Sequence, residues 1–133
     1  MKYMSILKVL KKIDVFLDKH TALFLNLFLL VVLRIPNFFE PYWYGDEAIY
    51  LSVGNALNQG GKLYTTIIDH KTPLIYQFAR VPNQFYFRLL NLGWMLVATT
   101  FFYLFAKKLF KKELPSFFAT LIMVLLTSLP WLE

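Results

Sequence analysis

Cysteine is absent from the 133 residues, which excludes a disulfide framework and a thiolate metal site and leaves the redox compartment unread. Charge is scarce as well. Only 17% of the residues are charged and 58% are hydrophobic, against roughly a quarter and a half in an average globular chain. That balance excludes an ordinary soluble domain and makes membrane the natural solvent. The two histidines give little to a metal centre: His70 beside Asp69 or Glu47 is a weak signal without a second ligand at fixed spacing. No repeat or low-complexity segment interrupts the chain. The net charge of +6 calls for anionic neighbours. The lysines, however, lie beside hydrophobic segments, where they set topology and meet lipid headgroups, so no nucleic acid is expected as a partner.

What is present is a series of apolar blocks, which predicts an all-α, polytopic membrane protein with about three spans and a single domain. Residues 1–19 place Tyr3, Ile6, Leu7, Leu10, Ile13 and Leu17 at helical spacing, with Lys2, Lys8, Lys11 and Lys12 largely elsewhere, and read as a cytoplasmic interfacial helix. The first span is expected over 20–36. Its apolar run from Thr21 to Ile35 is broken by Asn26 and Arg34 and, at about 1.5 Å per residue, falls short of a ~30 Å hydrocarbon core. Arg34 is expected to snorkel to the headgroups, with Phe38, Phe39, Tyr42, Trp43 and Tyr44 as an aromatic belt and Pro36 ending the helix. A cleaved signal peptide is the rival reading, but the run leads into Arg34, Ile35, Pro36 and Asn37 with no small-residue cleavage pattern, which favours a retained anchor. A second span is expected over 85–106, a basic connector over 107–113, and a third span over 114–132 with Pro115 in its first turn.

Positive charge sets the orientation. Five lysines fall in residues 1–19 and four in the connector, whereas the stretch from Pro36 to Gln84 holds only Lys62, Lys71 and Arg80. The amino terminus and connector are therefore expected in the cytoplasm and the loop over 37–84 on the opposite face, with a multi-pass chain in the plasma (inner) membrane. An odd span count, ending as the chain emerges, reads as the amino-terminal part of a larger protein.

Chemistry concentrates in that loop. Tyr44-Gly45-Asp46-Glu47-Ala48-Ile49-Tyr50 opens a helix expected to reach Gln59 and to stop at Gly60-Gly61, lying along the membrane surface on Ile49, Val53, Ala56 and Leu57. Helix capping by Asp46 and a dipole contribution from Glu47 explain the two acids without any function. The functional alternative is a general base, the role that glycosyl transfer to a hydroxyl requires. Asp69-His70-Lys71-Thr72-Pro73 reads as a turn. Lys71 is either a solvated lysine or a cation for the phosphate of a lipid-linked substrate. Arg34 and Arg88 at span ends read first as interfacial anchors, although an ionisable group near bilayer depth raises a functional question.

In order and spacing, these pieces resemble the amino-terminal part of the polyprenyl-phosphate-dependent membrane glycosyltransferases of the GT-C class. The branch resembled most is that of protein O-mannosyltransferases and lipid A aminoarabinose transferases. The matching elements are Arg34 after the first span, Trp43 to Glu47 with Ala48 and Tyr50, Gly61 to Tyr64, Lys71-Thr72-Pro73, Arg88-Leu89, and the basic Lys107 to Lys112. The resemblance implies that Asp46 is the catalytic base and that Glu47, Tyr50, Lys71 and Arg88 bind substrate, with Lys71 on the lipid phosphate. It implies a polyprenyl-phosphate sugar as donor, a hydroxyl acceptor on protein, lipid or glycan, and membrane lipids as surroundings. No cofactor is called for, and a divalent metal stays open. Two departures stand out: Thr72 replaces a proline common in the family, and Arg80-Val81-Pro82-Asn83 shortens a second loop helix. The family's later spans and second acidic loop have no counterpart here, so these residues alone are expected to be inactive. A small noncatalytic membrane subunit, or a lipid-phosphate-binding protein, is the alternative.

Overall fold

The computed structural model describes residues 12, 19–41 and 45–128. The expected interfacial helix over 1–19, the aromatic residues Tyr42, Trp43 and Tyr44, and the end of the third apolar block lie largely or wholly outside that set. Among the described residues five α-helices follow in order: α1 over Lys19–Arg34, α2 over Gly45–Asn58, α3 over Pro73–Phe78, α4 over Gln84–Phe110 and α5 over Glu113–Ser128, with a 3-10 turn over Pro36–Phe38 after α1. Among the described residues the only β pairing is an isolated bridge between Leu63 and Ile67, so the fold is helical as expected. Among the described residues two stretches are long and apolar enough to cross a membrane, Thr21–Phe38 and Gln84–Phe110, whereas α5 is apolar but shorter, at 16 residues.

Helix α4 runs past the expected end of the second span. Its 27 residues extend about 40 Å, more than a ~30 Å hydrocarbon core. Lys107 and Lys108 belong to its last turn, where cations complement the negative end of the helix dipole. The helix stops at Lys111, which adopts a left-handed φ of 56° and donates its backbone N–H to the Lys107 carbonyl at 3.0 Å. The expected seven-residue connector therefore shrinks to Lys111 and Lys112.

The described residues divide into two compact units, one ending at Ile35 and resuming at Trp94, the other running from Pro36 to Gly93. In the first, α1 packs on α5. Ala22, Asn26, Leu30 and Arg34 recur every four residues along α1 and are all buried, as are Ser116, Thr120 and Val124 along α5. Small side chains on these faces allow the backbones to approach closely. Asn26 donates to the carbonyl of Ala22 at 3.0 Å and to that of Phe117 across the seam at 3.5 Å. Arg34 does not snorkel: it is buried and donates to the Thr127 carbonyl of α5, which offers an acceptor nearer than the headgroups. Tyr103 of α4 packs on Ala22 and donates to Glu113 at 2.5 Å, and Lys107 pairs with the same carboxylate.

The second unit holds the loop. Helix α2 packs on α3 so tightly at Gly54 that a Cβ there would lie 2.2 Å from the Ala79 carbonyl oxygen, and only glycine fits. Helix α2 leads through Gly60, at φ +93°, into a knot of turns in which the Lys62 carbonyl accepts from the N–H groups of Thr66 and Ile67 at 3.0 and 3.2 Å. Thr72 then adopts an extended conformation and Pro73 occupies the first turn of α3, where its missing N–H costs nothing. Ala79 ends this helix, and Arg80 to Asn83 lead into α4.

Candidate functional site

Asp46 lies inside the first turn of α2, and its carboxylate accepts from two side chains. The Lys71 ammonium approaches Asp46 Oδ2 at 3.0 Å, and the Tyr50 hydroxyl donates to the same oxygen at 3.2 Å. Tyr50 follows Asp46 by one helical turn, so it reaches the acid from the same face. Lys71 comes from the turn before α3, where the Tyr64 hydroxyl donates to the Lys71 carbonyl at 2.8 Å and fixes its backbone. Both members of the ion pair are about one-third exposed, at 36% for Lys71 and 37% for Asp46, so the pair is open to an incoming ligand.

The electrostatics follow from these contacts. Lys71 holds the Asp46 carboxyl below its ordinary range, mainly through its hydrogen bond, and Tyr50 adds to the effect. The reciprocal contact with Asp46, followed by that with Tyr50, holds the Lys71 ammonium above its ordinary value. Partial burial raises the Tyr50 phenol first, and donation to Asp46 raises it further. As it stands, the site is a charge-neutral pair with a phenol attached, a weak base beside an occupied cation.

Beneath it lies an aromatic floor. Tyr76 of α3 is fully buried and meets Tyr50 edge-on, with ring centroids 6.0 Å apart, while Phe87 of α4 lies 6.4 Å from Tyr50 on centroids. The Tyr76 hydroxyl lies near the Asp69 carboxylate. Burial first, and then that carboxylate, push its pKa up to about 12. Asp69 accepts the backbone N–H of His70 at 2.6 Å and contacts the His70 ring at 3.1 Å, so the pair is local turn chemistry.

Glu47 and Arg88 form a second cluster in the same unit. Arg88 Nε and Nη2 each reach the Glu47 carboxylate at 2.8 Å, the bidentate geometry that fixes both groups. The same guanidinium donates to the carbonyls of Asn37, Glu40 and Pro41, the last two at 2.8 and 3.4 Å, and Gln84 donates to Glu47 at 3.0 Å. Their side chains are only 12% and 15% exposed for Arg88 and Glu47 respectively. The five expected site residues thus separate into an accessible trio, Asp46, Tyr50 and Lys71, and a mutually engaged pair, Glu47 and Arg88. Sequence reasoning missed Gln84, although it stands one turn before Arg88 on the same helix face. It also missed Tyr76, which carried no signal beyond its aromatic type.

Among the described residues no group of three or more His, Asp or Glu side chains is arranged to hold a metal ion. Comparison with family models, with curated proteins and with solved structures finds no match for this chain.

Proposed function

We propose that this chain carries the first catalytic loop of a membrane glycosyltransferase, which moves a sugar from a polyprenyl-phosphate donor to a hydroxyl acceptor outside the cytoplasm. The observation that carries the reading is the ion pair between Asp46 and Lys71, exposed and sharing Oδ2 with the Tyr50 hydroxyl. It joins a carboxylate and a cation, the two groups such a transfer needs, although 25 residues separate them in sequence. The arrangement of the apolar surface supports membrane embedding: Phe24, Phe28, Phe101, Phe105, Phe118 and Ile122 are exposed while the buried seam, Leu30 and Val124 apart, is small or polar. In this reading α5 completes a third span, the loop lies outside the cytoplasm, and α2 rests along the membrane surface.

In the reaction, the acceptor oxygen attacks the anomeric carbon as Asp46 takes its proton. The bond from that carbon to the phosphate oxygen breaks, with its electrons leaving on the lipid phosphate and with inversion at carbon. Lys71 moves from Asp46 to that phosphate and stabilises its growing charge. Its departure also frees the carboxylate from the contact that weakens it as a base, so arrival of the donor prepares the base. Glu47 and Arg88 hold the start of α2 against the Asn37–Pro41 segment and thereby position Asp46.

The noncatalytic alternative draws on the same pair, because two charges that satisfy each other also serve as a purely structural contact. Donor use by the full-length protein separates the readings. Lys71→Ala is expected to weaken use of a polyprenyl-phosphate sugar far more than Lys62→Ala, whose side chain is exposed at the knot of turns. Equal effects of the two substitutions would remove Lys71 from the phosphate site.

A further inference from the structure

A concavity in the loop unit lies between α2 and the Val81–Asn83 segment, with a volume of about 470 Å³, within the range of small-ligand sites. Its lining carries no charged side chain. Asn55, Asn58 and Asn83 supply carboxamides, and Leu51, Val81 and Pro82 supply apolar surface. The wall is fixed rather than loose, because Arg80 Nε donates to Asn58 Oδ1 at 2.8 Å and Arg80 Nη1 to Gln77 Oε1 at 3.2 Å. Asn83 uses its Oδ1 to accept the Tyr86 backbone N–H at 3.3 Å, which leaves its NH₂ without a partner among the described residues. Asn55, exposed on α2, has no side-chain partner among them either.

From these features the geometry points to a binding subsite for a neutral, hydroxyl-rich ring, a sugar residue held by the Asn55 and Asn83 carboxamides with a C–H face against Leu51, Val81 and Pro82. Each carboxamide both donates and accepts, which matches hydroxyls that do the same. The one charge that the contacts place beside the cleft, Arg80, has its guanidinium engaged by Asn58 and Gln77 behind the wall, so the lining itself presents carboxamides and apolar surface rather than charge. Asn55 follows Asp46 by nine residues, about two and a half turns, and so occupies the opposite side of α2. The ring bound here is therefore not the one that reacts at Asp46 but a neighbouring residue of an extended glycan. That this glycan is the acceptor rests on the transferase reading, whereas the binding itself does not.

The test is saturation-transfer NMR on the detergent-solubilised full-length protein with methyl α-D-mannopyranoside as probe. Transfer to the probe is expected in the unaltered protein and in Asp46→Asn, and it should persist at high salt, since no charge takes part. Asn55→Leu should weaken binding about threefold to tenfold, the scale of one neutral hydrogen bond. These 133 residues hold no cysteine, so once any cysteine elsewhere in the full-length protein is replaced, Asn55→Cys provides a single attachment point. Its N-ethylmaleimide adduct fills the cleft and should abolish transfer, while unmodified Asn55→Cys confirms that the fold survives. No transfer to the unaltered protein, or transfer undiminished by the adduct, would overturn the subsite. Sugar bound without turnover would sink the transferase reading and leave the subsite standing, and turnover without sugar binding would do the reverse.

Discussion

Asp46 Oδ2 receives both the Lys71 ammonium and the Tyr50 hydroxyl, and this double contact determines how pH acts on the site. Asp46 has its pKa lowered, so the pair is complete above the ordinary carboxylate value and is lost as pH falls through the lowered one. Lys71 has its pKa raised, so on the alkaline side the pair is lost only as pH rises through a value above that of free lysine. The pair is therefore intact across the neutral range. Lys71→Met should move the Asp46 titration upward, read from carboxyl ¹³C shifts in protein labelled at aspartate; an unmoved midpoint would show that Lys71 does not govern it. Part of this site is legible in the residue order alone. Asp46 and Tyr50 stand one helical turn apart, a spacing that puts them on one face. The contact between Asp46 and Lys71 is not legible there, because a pairing across 25 residues depends on how the loop folds back, and no local period encodes that.

Among the elements, the Arg88 guanidinium joins α4 to α2 and to the Asn37–Pro41 segment by charge-assisted hydrogen bonds. Removing it leaves the Glu47 carboxylate largely buried without its main partner, so Arg88→Ala should destabilise the protein by about 3 kcal/mol in denaturant titration. Arg88→Lys should recover little of this, since an ammonium cannot reproduce a planar fork. Full stability of Arg88→Lys would contradict the clamp. The sequence places Arg88 at the mouth of a span but cannot show its acceptors, three of which are backbone carbonyls that no side chain announces. The seam between α1 and α5 is equally hidden. A run apolar on every side gives no periodicity by which to choose the buried face, so Arg34 reads as a headgroup anchor when it in fact closes a line begun by Ala22, Asn26 and Leu30. Ala22→Leu should separate the two helices and cost about 1–3 kcal/mol through overpacking. Phe24→Leu, on an exposed face, should change stability little under the same measurement.

For the molecule as a whole, the distribution of nine lysines between the amino-terminal segment and the connector is the physical basis for expecting the loop opposite the cytoplasm. These 133 residues hold no cysteine, so single cysteines at Gln59 and Lys111, placed in a protein cleared of any cysteine elsewhere, report this directly in intact cells. A membrane-impermeant thiol reagent is expected to label Gln59→Cys and spare Lys111→Cys; the reverse pattern would overturn the orientation and, with it, the transferase. Helicity and the two long apolar stretches are legible from composition and block length, because hydrophobic runs near bilayer length leave few other solutions. The end of α4 is less so: four further residues, Lys107 to Phe110, stay helical because lysine is a good helix former and favours a last turn.

On the transferase reading, Asp46 serves as a base and not only as a partner for Lys71. Asp46→Asn isolates that role, since the carboxamide oxygen still accepts from Lys71 and Tyr50 and the first turn of α2 is unaltered in shape, yet the group takes no proton at neutral pH. Turnover of a polyprenyl-phosphate sugar should be measured on the full-length variant, with its helicity and unfolding midpoint recorded beside it. A folded Asp46→Asn protein whose turnover falls by about 10²-fold or more is the expected result, the scale of a lost acid-base group. A folded Asp46→Asn protein with full turnover would contradict it.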